Sequence, residues 1–165
     1  MKACMFGFFV AVLASQAFAV DQPKAPVNPG FEKMKSLVGQ WKGKTKDGEN
    51  VTVSYRLVAG GTVIEEQLSH GDMVTMYHLD GGKLMLTHYC VAQNQPRMRA
   101  AAFKEGDKTL SFAFFDATNM ADPKAMHMHN LALNFSDADH FTQEWTLYQD
   151  GKETQTVVIN LERMK

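Results

Sequence analysis

Two short spacings in this chain bring metal-binding or proton-handling side chains together: His88-Tyr89-Cys90 and His127-Met128-His129. Neutral imidazole and thiolate hold zinc or copper, and imidazole also holds haem iron. On a β-strand, residues two apart share a face at a separation of about 7 Å, so each spacing delivers two donors to one side of a sheet. The alternative is a ligand cavity with a polar lining. There each imidazole is hydrogen-bonded to a neighbour or to water, and the lone thiol packs as a small hydrophobe. Two more polar residues interrupt apolar alternations: Glu66 between Ile64 and Leu68, and Gln143 between Phe141 and Trp145. A carboxylate turned into an interior is costly unless paired, and Arg56, Arg97 and Arg99 are the candidate partners. A carboxylate, imidazoles and a thiol in one cavity can support acid–base chemistry, but no nucleophile–base–orienter arrangement is visible. Met126 and Met128 flank His127, as flexible side chains that pack a mouth or as soft metal ligands.

The elements that must position these residues are strands. A short helix over 31–38 places Phe31, Met34, Leu37 and Val38 on one face and ends at Gly39. Alternating β-rich runs then follow at 40–46, 50–59, 62–70, 73–79, 83–91, 97–104, 108–115, 125–135, 140–149 and 152–163. They are divided by Asp-Gly, Gly-Gly and related breaks that tolerate the positive φ of tight turns. No crossover helix lies between them, which excludes a parallel α/β sheet. An open sheet of this size leaves two edges to aggregate, and closure removes both. The expectation is an all-β, ten-stranded antiparallel up-and-down barrel, with the helix plugging the end where the connections are tight. The loops at 93–96 and 116–124 mark the other end as the open mouth. Period-two facing then turns Leu84, Leu86, His88 and Cys90 inward on the fifth strand. On the eighth it turns His127, His129, Leu131, Leu133 and Phe135 inward. His88, Cys90, His127 and His129 should therefore meet near the mouth.

The chain has 165 residues with 17 basic and 18 acidic side chains, a net charge of -1. That balance gives no electrostatic drive toward nucleic acid. Residues 1–19 read as a signal peptide: Lys2, an apolar run over 5–14, and the small-x-small site Ala17-Phe18-Ala19. The run is shorter than the ~18 residues a membrane span needs, so no transmembrane segment is expected after cleavage. Residues 20–29 read as a disordered leader and 30–165 as the barrel domain, exported to the periplasm or beyond the cell. Cleavage would remove Cys4 and leave Cys90 alone, without an intramolecular disulfide.

A short helix followed by Gly39-Gln40-Trp41 resembles the start of the calycin superfamily, the lipocalins and fatty-acid-binding proteins, and the strand count is similar to the nitrobindin branch. The runs Met76-Tyr77-His78 with Asp80-Gly81, Leu86-Thr87-His88-Tyr89-Cys90 and Asn94-Gln95-Pro96-Arg97-Met98 resemble exported bacterial lipocalin-like proteins of uncharacterised function. The resemblance implies a barrel that holds a small, largely apolar or amphipathic molecule. Such a site would draw on His88, Cys90, His127, His129, Glu66, Arg97, Gln143 and Trp145, and it requires a lumen pocket of several hundred Å³. A nitrobindin-like alternative implies haem or a transition metal with redox or isomerase activity. The tenth strand has no histidine where that branch takes its haem ligand, so iron would fall to His127, His129 or His88, and zinc or copper to those residues with Cys90. A third reading is a structural or interaction protein of the cell envelope.

Overall fold

A computed structural model of the chain describes residues 27–120 and 122–165. The expected signal peptide and all but the end of the expected leader lie outside the described residues. Helix α1 (Pro29–Lys35) precedes ten strands: β1 (Gly39–Thr45), β2 (Asn50–Val58), β3 (Val63–Leu68), β4 (Met73–Asp80), β5 (Lys83–Tyr89), β6 (Gln95–Ala100), β7 (Thr109–Thr118), β8 (His127–Phe135), β9 (His140–Gln149) and β10 (Lys152–Arg163). Each pairs antiparallel with its chain neighbours, and β1 pairs with β10, so the sheet closes into a barrel without edges. Among the described residues no helix is long and apolar enough to cross a membrane.

Alternation carries the strands. On β2, Val51, Val53 and Tyr55 are buried while Asn50 and Thr52 are exposed. On β9, Phe141, Gln143 and Trp145 are buried, each followed by a half-buried residue. Asp150 and Gly151 turn β9 into β10 with φ of 55° and 82°, the doubly positive geometry that suits a two-residue hairpin.

The lower end of the barrel is plugged. The Asn28 side chain accepts from the Phe31 backbone N–H at 3.0 Å and caps α1. Its amide donates to Gly82 O at 2.9 Å, which ties the cap to the β4–β5 turn. Asn28 and Pro29, at the end of the expected leader, thus belong to the cap and first turn of α1. Phe31, Met34 and Leu37 are buried beneath the lumen. Trp41 is buried on β1, with its indole N–H donating to Leu37 O at 2.7 Å and its ring edge-on to Phe141. Arg163 at the end of β10 lies over the Trp41 ring and donates to the Ser36 and Val38 carbonyls.

Two strand boundaries depart from expectation. β6 ends at Ala100, and residues 101–108 form the connection to β7, so the plugged end carries one long loop. Lys104 N–H bonded to Asp107 Oδ2 closes its turn. β7 continues to Thr118, which moves the mouth loop to 119–126. Opposite the extension, the register slips between Arg97 and Met98 and leaves Phe115 as an extra residue.

Candidate functional site: a row of polar side chains and a chamber at the rim

Strand register lines up four inward positions across adjacent strands. Tyr55 pairs with Glu66, Glu66 with Thr75, and Thr75 with His88. All four are buried. The Glu66 carboxylate accepts from the Tyr77 hydroxyl at 2.5 Å and from the Gln143 amide at 2.9 Å. The same amide donates to the Tyr55 hydroxyl at 2.6 Å, and Gln143 Oε1 accepts the Trp145 indole N–H at 3.1 Å. Burial pushes the Glu66 carboxyl above its usual range, and hydrogen bonds from Tyr77, Gln143 and Tyr55 pull against that rise. Burial and then the neighbouring carboxylate push both tyrosine hydroxyls well up. The expected guanidinium partner is absent. Arg56 pairs with Glu65, and Arg97 makes a bidentate pair with Asp116. Arg99 lies over the Phe115 ring. Arg97 is therefore not a lumen residue. Neutral donors, not a cation, accommodate the buried carboxylate.

Toward the mouth the lumen opens beside His88. Its Nδ1 lies 2.9 Å from the Thr75 hydroxyl, and its ring packs on Trp145 with centroids 4.7 Å apart. Its Nε2 is buried with no hydrogen-bond partner. Desolvation lowers its pKa from 6.5 to about 4, so the ring is neutral at physiological pH. The chamber has a volume of about 130 Å³, and its walls include Leu68, Met73, Val91, Met128, Val157 and Ile159. This corrects the expectation of a lumen several hundred Å³ in size. The polar row, Trp145 and the aromatic core fill the rest of the cylinder. Larger hollows lie on other surfaces, such as one of about 550 Å³ beside α1 at the plugged end.

The expected meeting of four donors does not occur. The β8–β9 register slips between Met128 and Asn130, leaving His129 as an extra residue. The slip shifts the parity, so Met128 lines the chamber in place of the histidines. His127 and His129 instead join a cluster with Phe114 and Tyr148. The His129 ring is stacked between Phe114 (4.9 Å) and Tyr148 (4.4 Å). His127 Nδ1 lies 2.8 Å from Ala125 O and its Nε2 lies 3.0 Å from His129 Nδ1. A carbonyl only accepts, so His127 donates from Nδ1, and in the neutral ring its Nε2 accepts from His129. Burial and His127 both lower the His129 pKa. Cys90 is half-buried against the core edge, at the start of the β5–β6 loop. Among the described residues no group of three or more His, Cys, Asp or Glu side chains converges as a metal site needs. The inserted residue takes His127 and His129 away from His88, and Cys90 lies past the end of β5, so the expected zinc, copper or haem set of His88, Cys90, His127 and His129 does not assemble.

Sequence reasoning placed Glu66, Gln143, Trp145 and His88 in the interior, where they are found. It missed Tyr55, Thr75 and Tyr77, and it placed Met128 at the mouth but turned His127 and His129 inward in its stead. The signal for the first three was present: each shares its strand's inward parity, two positions from Val53, Met73 or Thr75. For Met128 no local signal distinguishes a bulged strand from a regular one.

No family model matches the chain, and no curated protein matches it. Among solved structures, it is similar to a protein of unknown function of the DUF3598 family from Nostoc punctiforme, with a TM-score of 0.52 and 13% identity. The match covers 79% of this chain and 49% of the other, so this chain spans about half that protein's length. At that identity the likeness shows the fold alone: a ten-stranded antiparallel barrel with a structural neighbour whose own activity is unknown.

Proposed function

We propose that this protein is an exported small-molecule-binding barrel of calycin-like type, and that its site is the rim chamber around His88. One observation carries the proposal. In a cylinder otherwise filled by side chains, a hollow of about 130 Å³ persists at the mouth, with apolar walls and an imidazole edge that lacks a partner. A collapsed lumen would have closed it. An apolar cavity of roughly 150 Å³ takes one benzene ring, so the occupant is a small, largely apolar molecule, far below fatty-acid size. The metal and haem alternative lacks comparable support, because its donors sit in two separate clusters.

Thermal unfolding with benzene as the probe tests this reading. At tenfold excess over Kd the expected stabilisation is about 1.4 kcal/mol, a rise of a few degrees in Tm. Val157→Phe fills the chamber from β10 and should abolish the rise. No benzene effect on the parent, or an equal effect on Val157→Phe, would overturn the proposal.

A further inference from the structure

Resting on the chamber reading, we infer that the site selects neutral, single-ring-sized molecules bearing one hydrogen-bond acceptor, a cyclic ketone being the type, and that His88 Nε2–H is the group that recognises them. Proton placement decides what that edge of the ring offers. Thr75 is 2% exposed, and His88 Nδ1 is the only hydrogen-bond partner of its hydroxyl among the described residues. If Nδ1–H donated to Thr75, the hydroxyl proton and the Nε2 lone pair would both be orphaned. If Thr75 donates to Nδ1, the unpaired donor is Nε2–H, and the hydroxyl oxygen keeps only spare lone pairs. The second arrangement puts the unpaired donor on the chamber wall, where an occupant can reach it, and not on a Thr75 hydroxyl that is buried away from the chamber. It presents the free edge of the ring as a donor, and a buried donor without a partner is a group waiting for an acceptor.

The other polar groups near the chamber are committed. The Trp145 indole N–H donates to Gln143, leaving only its ring to the chamber. His70, at the solvent-exposed rim, turns Nδ1 to Glu49 at 3.2 Å. The remaining walls are Gly71 and aliphatic or thioether side chains. An occupant with its own hydroxyl or amine donor would lose its water partners against walls that are mostly hydrocarbon and thioether. A charged occupant would face a neutral imidazole and no counter-ion. The chamber therefore discriminates by one donor on one edge. Sites of that kind reject an analogue that lacks the matching group more strongly than hydrophobic pockets reject a change of size.

The test is an NMR titration of the intact protein with cyclohexanone and with methylenecyclohexane, which replaces C=O by C=CH2 at nearly the same shape. The expected result is cyclohexanone binding about tenfold more tightly, with cyclohexylammonium and cyclohexanecarboxylate not binding. In His88→Phe, which keeps a ring against Trp145, the two probes should bind alike. If that variant does not fold, ¹⁵N spectra of the parent decide: the His88 proton should sit on Nε2 and move downfield with cyclohexanone. Equal affinities for the two probes, or a proton on Nδ1, would overturn the inference and leave the chamber as an unselective hydrophobic site. Binding of neither probe would overturn it together with the chamber reading.

Discussion

His88 has two neighbours and one free edge, and its chemistry follows from both. Its Thr75 contact and the Trp145 ring hold the imidazole where water does not reach, and its pKa falls to about 4. Between 6.5 and about 4 the unfolded chain holds a proton on this ring that the folded chain lacks, so stability falls as pH falls through that window. The gap converts to about 3 kcal/mol. Glu66 acts in the opposite sense. Above 4.5 the folded chain retains a carboxyl proton that the unfolded chain sheds, and this contribution declines as pH rises. The His88 effect is therefore read as a difference. Urea denaturation from pH 7 to pH 4 should show a steeper loss in the parent than in His88→Phe; parallel curves would contradict the desolvated ring. Tyr77→Phe removes a donor from the Glu66 carboxylate. It should cost roughly 2 kcal/mol and raise the Glu66 midpoint seen by ¹³C carboxyl NMR. An unmoved midpoint would show that the hydroxyl does not stabilise the charge.

At the scale of elements, closure between β1 and β10 is the demanding contact. A Cβ built on Gly43 would lie 2.0 Å from Asn160 O on the partner strand, a clash with backbone that no side-chain movement relieves. Gly43→Ala should destabilise by on the order of 3 kcal/mol, and fast amide exchange at 41–45 should show the seam opening. Wild-type protection there would contradict the tight approach. Trp41 stands at the same seam, and Trp41→Ala should cost about 3–5 kcal/mol by chemical denaturation; an unchanged midpoint would remove it from the core. Nearly every strand was legible from alternation and turn residues, because both are local properties of the chain. Exceptions fall where a partner strand decides. β6 stops at Ala100 although apolar Ala101, Ala102 and Phe103 follow, since β5 pairs with it only through Arg99. The extra residue at His129 exists only relative to β9. One such residue reverses the facing of everything beyond it, which is why Leu131 and Leu133 were legible as inward and His127 was not.

At the scale of the molecule, the lumen divides into three levels: a plug of α1 and Trp41, a polar row centred on Glu66, and the rim chamber beside His88. The lower two are filled, so the cylinder is a packed core through most of its length. Only the top level has room, and its size limits the ligand before any polar contact does. Crystals of the intact protein under xenon pressure test that division most directly. One ordered xenon is expected inside the barrel, between His88, Trp145 and Met128, and none at the level of Glu66. A barrel with no internal xenon, or one bound only in the outer hollows, would contradict that division.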